Sequence, residues 1–297
     1  MASLKEIKLK INSTKKTKKI TAAMKLVAAA KVNKMQKLIK AARPYANGVK
    51  QLYTQLQGCL DQEELDQNPL LKKITKVDSV LLIVISSDIG LCGPYNANIL
   101  KLARKRIKDL QSDGLRISLL TIGRKATDAF SKIIYKEQGV EVLRSYINLQ
   151  TKPSLELVEE ISTFAAEKFT SNEVQKVEVI STRFISMVNS VAEIKNFLPV
   201  EKPQSLANSV QSSDVILEPN ARALIDTLTP MYLNNTVYTD ILDATTSELA
   251  SRMTAMNNAS NNADAVIKKL LLSYNKARQS AITQEISEIV GGSAALA

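Results

Sequence analysis

"MYLNNTVYTDILDATTSELASRMTAMNNASNNADAVIKKLLLSYNKARQSAITQEISEIV", residues 231–290, runs sixty residues without a glycine or a proline. As one helix rising 1.5 Å per residue it would be about 90 Å long, whereas a globular helix averages roughly 12 residues. A compact domain cannot enclose it. Its pattern repeats in sevens: Leu242, Leu249, Met256, Ala263, Leu270 and Ala277 stand seven apart, and Thr246, Met253, Ser260, Ile267, Tyr274 and Ala281 follow four later. Such a seam predicts a left-handed coiled coil.

The other end of the chain offers a partner. No glycine or proline precedes Pro44, and Ile20, Met24, Val27, Leu38 and Tyr45 fall along one expected stripe, interrupted by Lys31 and Lys34. Because the two helices are opposite ends of one chain joined through an intervening domain, an antiparallel intramolecular pair is the natural geometry. Small seam residues such as Ala263 and Ala277 allow the backbones to approach closely.

Between the ends the period changes. Strands are predicted at 77–86, 115–123 and 174–184, and helices at 95–112, 124–134 and 153–170. Alternation of this kind predicts a Rossmann-like α/β layer on a largely parallel sheet. A Pro-, Ser- and Asn-rich stretch, 199–213, reads as a loop. The expected fold class is thus α/β with long helical extensions: an N-terminal helix (1–57), a linker (58–76), a central α/β domain (77–213) and a C-terminal helix with its tip (214–297).

Composition narrows the function. Hydrophobic residues make up 45% of 297, aromatics only 4%, and Trp is absent, which disfavours an aromatic stacking surface for nucleic acid. No apolar run is long enough to span a bilayer. Cys59 and Cys92 match no metal or redox spacing, and the lack of His excludes His-dependent catalysis. Net charge is +11, but residues 1–50 hold 14 Lys or Arg against Glu6 alone, a local +13 that leaves −2 for the rest. Such an arm suits a nucleic-acid tail, a transit peptide, a helix moving past acidic partners or a solvated helix face.

Catalytic signals are weak. "SSDIGLCGPYN" (86–96) is a glycine-bearing turn after a buried strand, but it lacks a dinucleotide or phosphate-loop fingerprint. A tight turn freed by Gly90 and Gly93, with Cys92 as a buried thiol, accounts for it. The run "SYNKARQSAITQEISEIVGG" (273–292) is more specific. Arg278 and Gln279 are adjacent polar residues beside a seam position. They are either solvated or a hydrogen-bonding fork, since Arg engages carboxylates bidentately and Gln both donates and accepts. Beyond them only Glu285 and Glu288 are charged.

Taken with "ITAAMKLVAAAK" (20–31), "GLCGPYN" (90–96) and "SELASRMTAMNNASNNA" (247–263), this run gives the whole chain a resemblance to the γ subunit of the F-type ATP synthase. The resemblance implies that the terminal helices form a bent antiparallel shaft inside a ring of α and β subunits. It also implies that the α/β domain forms part of a foot on the membrane c-ring, beside a small stalk subunit of ε or δ type. Met24, Lys25 and Arg252 match positions facing the β subunits. Arg278 and Gln279 match a pair that engages a loop on β, with Thr283 and Glu285 nearby, and Glu218 aligns with an acidic residue near the c-ring loops. The implied role is mechanical coupling, with no catalytic residues, cofactor, metal or small-molecule ligand in this chain. The implied place is peripheral on an energy-transducing membrane, on the matrix side in mitochondria or the cytoplasmic side in bacteria. Competing readings are a nucleic-acid-binding basic coiled coil and a cofactor-binding α/β enzyme with helical extensions.

Overall fold

The structure, a computed structural model, describes residues 4–72, 74, 76–132, 135, 137–149, 151–201 and 217–296. In chain order the elements are α1 (Leu4–Cys59), α2 (Gln62–Asp66), β1 (Ser79–Ile85), α3 (Tyr95–Ser112), β2 (Arg116–Ile122), α4 (Arg124–Phe130), β3 (Val140–Tyr146), α5 (Leu155–Thr170), β4 (Lys176–Phe184), β5 (Ser190–Leu198) and α6 (Ala221–Leu296). The expected strands and helices are all present. Two strands, β3 and β5, occur where none was predicted, and most of the expected loop 199–213 lies outside the described residues. Contacts divide the chain into two units, residues 30–251 and residues 1–29 with 252–297.

In the first unit the sheet runs β3-β2-β1-β4-β5, with β1 to β4 mutually parallel and β5 returning antiparallel along β4 as a hairpin. β1 is buried throughout, as a central parallel strand covered on both faces should be. Its side chains alternate strictly. Val80, Leu82 and Val84 join Ile99, Ile107 and Leu110 of α3 and Phe130 of α4, while Leu81, Ile83 and Ile85 join Ile161 and Phe169 of α5 and Tyr53, Leu233 and Ile241 of α1 and α6. The long helices therefore share with α5 in covering one face of the sheet. Between them, Val32, Met35 and Ile39 pack with Leu242, Leu249 and Ala250. Tyr53 stacks on Tyr232 at 4.5 Å and shares a 3.0 Å hydrogen bond with Thr229, and Asn235 reaches the Ala46 carbonyl. Rising numbers on α1 meet falling numbers on α6, so the pair is antiparallel.

The second unit is helical. Ile7, Ile11, Thr21 and Ala28 of α1 are buried, as are Met256, Ala263 and Ile267 of α6. Lys18 and Asp264 pair at 2.6 Å, and that bond holds the Asp264 carboxyl below its ordinary value. The C-terminal heptad reading survives: Leu242, Thr246, Leu249, Met256, Ala263 and Ile267 are buried. The N-terminal stripe needs correction. Ile20, Val27 and Tyr45 are 60%, 58% and 59% exposed, and the buried series is Ile7, Ile11, Thr21, Ala28, Val32, Met35, Ile39, Val49, Tyr53 and Leu56. That series keeps the three-four spacing of a seam, but it carries Thr21 and Ala28 where larger apolar residues were sought.

Candidate functional site

In an open α/β sheet, ligands bind beyond the carboxyl ends of the strands where the strand order reverses. Here that point lies between β1 and β4, and α6 closes it. The Ser251 hydroxyl donates to the Cys92 carbonyl at 2.6 Å. Tyr95, hydrogen-bonded to Thr182 and beside Glu248, is 5% exposed, and Ser247 is 1% exposed. Burial, and then the Glu248 carboxylate, raise the Tyr95 phenol, so it stays protonated and neutral.

The glycine-bearing turn is held from within. Asn96 accepts from the Ser87 amide at 3.1 Å and donates to Cys92 Sγ at 3.1 Å. Leu91 (φ 63°) and Gly93 (φ 56°) take the left-handed conformations, so the freedom assigned to Gly90 belongs to Leu91 instead. Next to it, the first turn of α4 already has its partners: Ala126 N–H donates to Ser86 Oγ (2.8 Å) and Arg124 N–H to Asp88 Oδ1 (2.9 Å). Asp88 also accepts from the Leu149 amide, so a carboxylate occupies the place where an incoming phosphate would sit. Gly123 makes this closeness possible. At φ 93°, a Cβ there would lie 2.3 Å from the Ser86 carbonyl oxygen. Among the described residues no His, Cys, Asp and Glu group could hold a metal ion.

The residues singled out from sequence fall into three places. Met24, Lys25 and Arg252 are half-buried, all in the helical unit; around the first two, Ile20, Leu26 and Val27 are 60%, 69% and 58% exposed. Arg278, Gln279, Thr283 and Glu285 belong to the same unit and are exposed. There the Thr283 hydroxyl donates to the Gln279 carbonyl at 2.9 Å, a bond within the helix that leaves the Gln279 side chain available. Ala277 and Ala281 are still half-buried, but every residue from Ile282 to Gly291 is exposed, including Ile282, Ile286, Ile289 and Val290. The buried seam ends there. Glu218, in the other unit, is exposed two residues ahead of Asn220, whose side chain caps α6 by accepting from the Ala223 amide at 2.8 Å.

Sequence reasoning missed the polar ties of the α/β unit. Lys195 of β5 pairs with Asp240 of α6 at 2.5 Å and with Glu193 at 3.3 Å, and Arg43 donates to the Phe184 carbonyl at 3.2 Å. Asp240, an acid on the packing face of a long helix, was the available signal, since a buried carboxylate needs a partner.

Comparison with known proteins bears on the whole length. The family model described as ATP synthase matches residues 3–296. An "ATP synthase gamma chain" from Thermosynechococcus vestitus is 40% identical, and one from Synechococcus sp. (strain JA-3-3Ab) 38%, each with both chains covered in full. Among solved structures, a chain of the Tetrahymena thermophila mitochondrial ATP synthase central stalk and c-ring has a TM-score of 0.59 at 26% identity, covering 81% of this chain and 99% of that one. A chain of the Euglena gracilis mitochondrial ATP synthase, TM-score 0.66 at 19% identity with 99% and 94% covered, shares the fold. The likeness takes in both long helices and the α/β layer between them, and on that evidence the chain belongs to the γ-chain family of ATP synthases.

Proposed function

We propose that the chain is the central-stalk rotor subunit of an F-type ATP synthase, coupling proton-driven rotation of a c-ring to ATP synthesis or hydrolysis at the β subunits. The observation that carries this reading is full-length identity of 38–40% to γ chains, over the extended helices as well as the α/β layer. The geometry supports it. The crevice a nucleotide would need is closed by α6, while the exposed apolar and basic surface lies on helices that need another protein to cover it. The chain is non-catalytic. Nucleotide and magnesium belong to the partners, and no cofactor or small-molecule ligand is assigned here.

In this reading residues 1–57 and 214–297 form the shaft, 58–76 the link and 77–213 the foot. Met24, Lys25 and Arg252 face the β subunits, where slim alanine-rich backbone clears the surrounding ring and positive charge meets acidic loops. Arg278 and Gln279 form the fork to a β loop, with Thr283 and Glu285 beside it in the bearing. Glu218 contacts the c-ring, and an ε- or δ-type subunit joins the foot. An asymmetric shaft touches three β subunits differently, so each angular step shifts the populations of their open, loose and tight states. Among the described residues no helix is long and apolar enough to cross a membrane, which fits peripheral attachment on the matrix or cytoplasmic face beside the catalytic head. The basic arm is then a sliding face and not a nucleic-acid tail.

The test is recovery of partners. A tagged chain extracted in mild detergent is expected to bring down α, β, c and the small stalk subunit, and the stripped chain to hydrolyse no ATP. Recovery of nucleic acid without α and β, or hydrolysis by the stripped chain, overturns the assignment.

A further inference from the structure

A cleft of about 680 Å3 opens in the α/β unit, lined by residues of β4, β5 and the two long helices, and polar contacts bridge it alongside apolar ones. Among the described residues β5 is the edge strand, antiparallel and bonded to the sheet through β4. An edge held on one side tilts more easily than a central strand. At this edge Arg183 pairs with Glu193 at 3.1 Å, Glu193 with Lys195 at 3.3 Å, and Lys195 with Asp240 at 2.5 Å, an ionic chain running from β4 across β5 to α6. On the neighbouring helix, Arg43 donates to the Phe184 carbonyl, the last residue of β4, and lies 3.7 Å from Asp243.

Asp240 is an unusual choice for a helix face packed on a sheet. Its side chain is 4% exposed, and its Oδ2 has no hydrogen-bond partner among the described residues. A buried ion pair is rarely more stable than an apolar pair of the same volume, so stability alone gives little reason to keep one. What it supplies is direction. Apolar surfaces tolerate small sliding movements, because the area they bury barely changes, whereas a charge-assisted bond of 2.5 Å fixes one distance and one angle.

We infer that Lys195 and Asp240 form a strut that holds the sheet edge at a fixed angle to α6, so that twist applied to the α/β layer passes into the helix pair without slack. The inference rests on the rotor reading above. Lys195 and Asp240 are positioning residues: they act through the element each belongs to. Lys195 suits the task because it stays charged. Burial opposes its charge, but Asp240 and Glu193 outweigh that and raise its pKa above the ordinary value.

The experiment measures angular stiffness in the assembled complex. The head is fixed to a surface and locked with a slowly hydrolysed nucleotide. A probe is attached through Lys108→Cys on the opposite face of the sheet, in a Cys59→Ser background. The width of its thermal rotation gives the compliance of the path between probe and head. Lys195→Met is expected to raise the angular variance about twofold and to lower protons pumped per ATP, with hydrolysis by the detached head unchanged. The paired substitution Lys195→Met with Asp240→Met removes the ionic link without burying an unmatched charge, so it keeps assembly and thermal stability and shows the same broadening. Lys195→Arg restores the narrow distribution. Wild-type variance in the paired variant overturns the strut, and that variant decides the matter if Lys195→Met fails to assemble. Failure of the wild-type probe to rotate with ATP would instead refute the rotor reading itself.

Discussion

Glu178, on β4, sits between Arg106 of α3 and Lys176, with 4% of its side chain exposed. Arg106 grips it twice, Nε to Oε2 at 2.7 Å and Nη2 to Oε1 at 2.6 Å, and Lys176 approaches Oε1 at 2.8 Å. Burial alone would raise its carboxyl pKa. The Arg106 and Lys176 bonds outweigh burial, and the folded value lies below the ordinary one. A depressed carboxylate contributes stability that is present above its unfolded pKa of about 4.3 and is lost as pH falls through the lower folded value. Glu178→Gln should therefore cost about 2–3 kcal/mol at pH 7, somewhat less than a wholly buried pair because Arg106 keeps some contact with water. Denaturant unfolding of the purified chain at pH 7 and at pH 3 measures this, and the gap between wild type and variant should narrow in acid. An equal gap at both pH values would mean that shape and not charge sets the cost.

At the scale of elements, the two long helices were unequally legible. The C-terminal seam could be read because Leu242, Leu249, Met256 and Ile267 are both apolar and buried. On α1 the same rule pointed to the wrong face. Its inner positions include Thr21 and Ala28, and half-buried Lys18 and Lys25 fall in the same three-four register, while Ile20, Leu26 and Val27 face outward. Pattern reading assumes that apolar residues lie inward, and Ile20, Leu26 and Val27 break that assumption. The strands β3 and β5 were hidden for a different reason: as sheet edges they mix buried and exposed positions without clean alternation. The proposed contact residues rest on resemblance alone, because exposed Arg278 or Glu285 carries no packing signal. The corrected seam makes a direct prediction. Met35→Ala, at 1% exposure, should destabilise the chain by about 2–5 kcal/mol, and Ile20→Ala should change it by less than about 0.5 kcal/mol. Thermal unfolding of the two variants side by side distinguishes the faces, and a reversed order would restore the outer stripe as the seam.

For the whole molecule, the informative variants are those that leave the chain intact and alter the complex. Arg278→Ala with Gln279→Ala should leave unfolding of the purified chain almost unmoved, since both side chains are exposed and outside the seam. In the assembled enzyme the loss of a charge-assisted fork, about 1.5–3 kcal/mol, should slow turnover by roughly ten- to a hundredfold if the engaged state limits the cycle. Steady-state hydrolysis by complexes carrying each substitution and both is the measurement. Unchanged turnover in the double variant would leave these residues as solvent-facing helix.

The ion pair between Lys18 and Asp264 has a consequence in time. Asp264 follows Lys18 by 246 residues, which at roughly 5–20 residues per second take about 12–50 s to synthesise. For most of that interval α1 has been made and α6 has not, so Met35 and Ile39 lack the Leu242 and Leu249 side chains they pack against. The α/β layer waits as well, because the α6 residues that cover one of its faces are among the last to leave the ribosome. Such a chain exposes the most unpartnered apolar surface after the last strand is made and before residues 225–267 of α6 have followed.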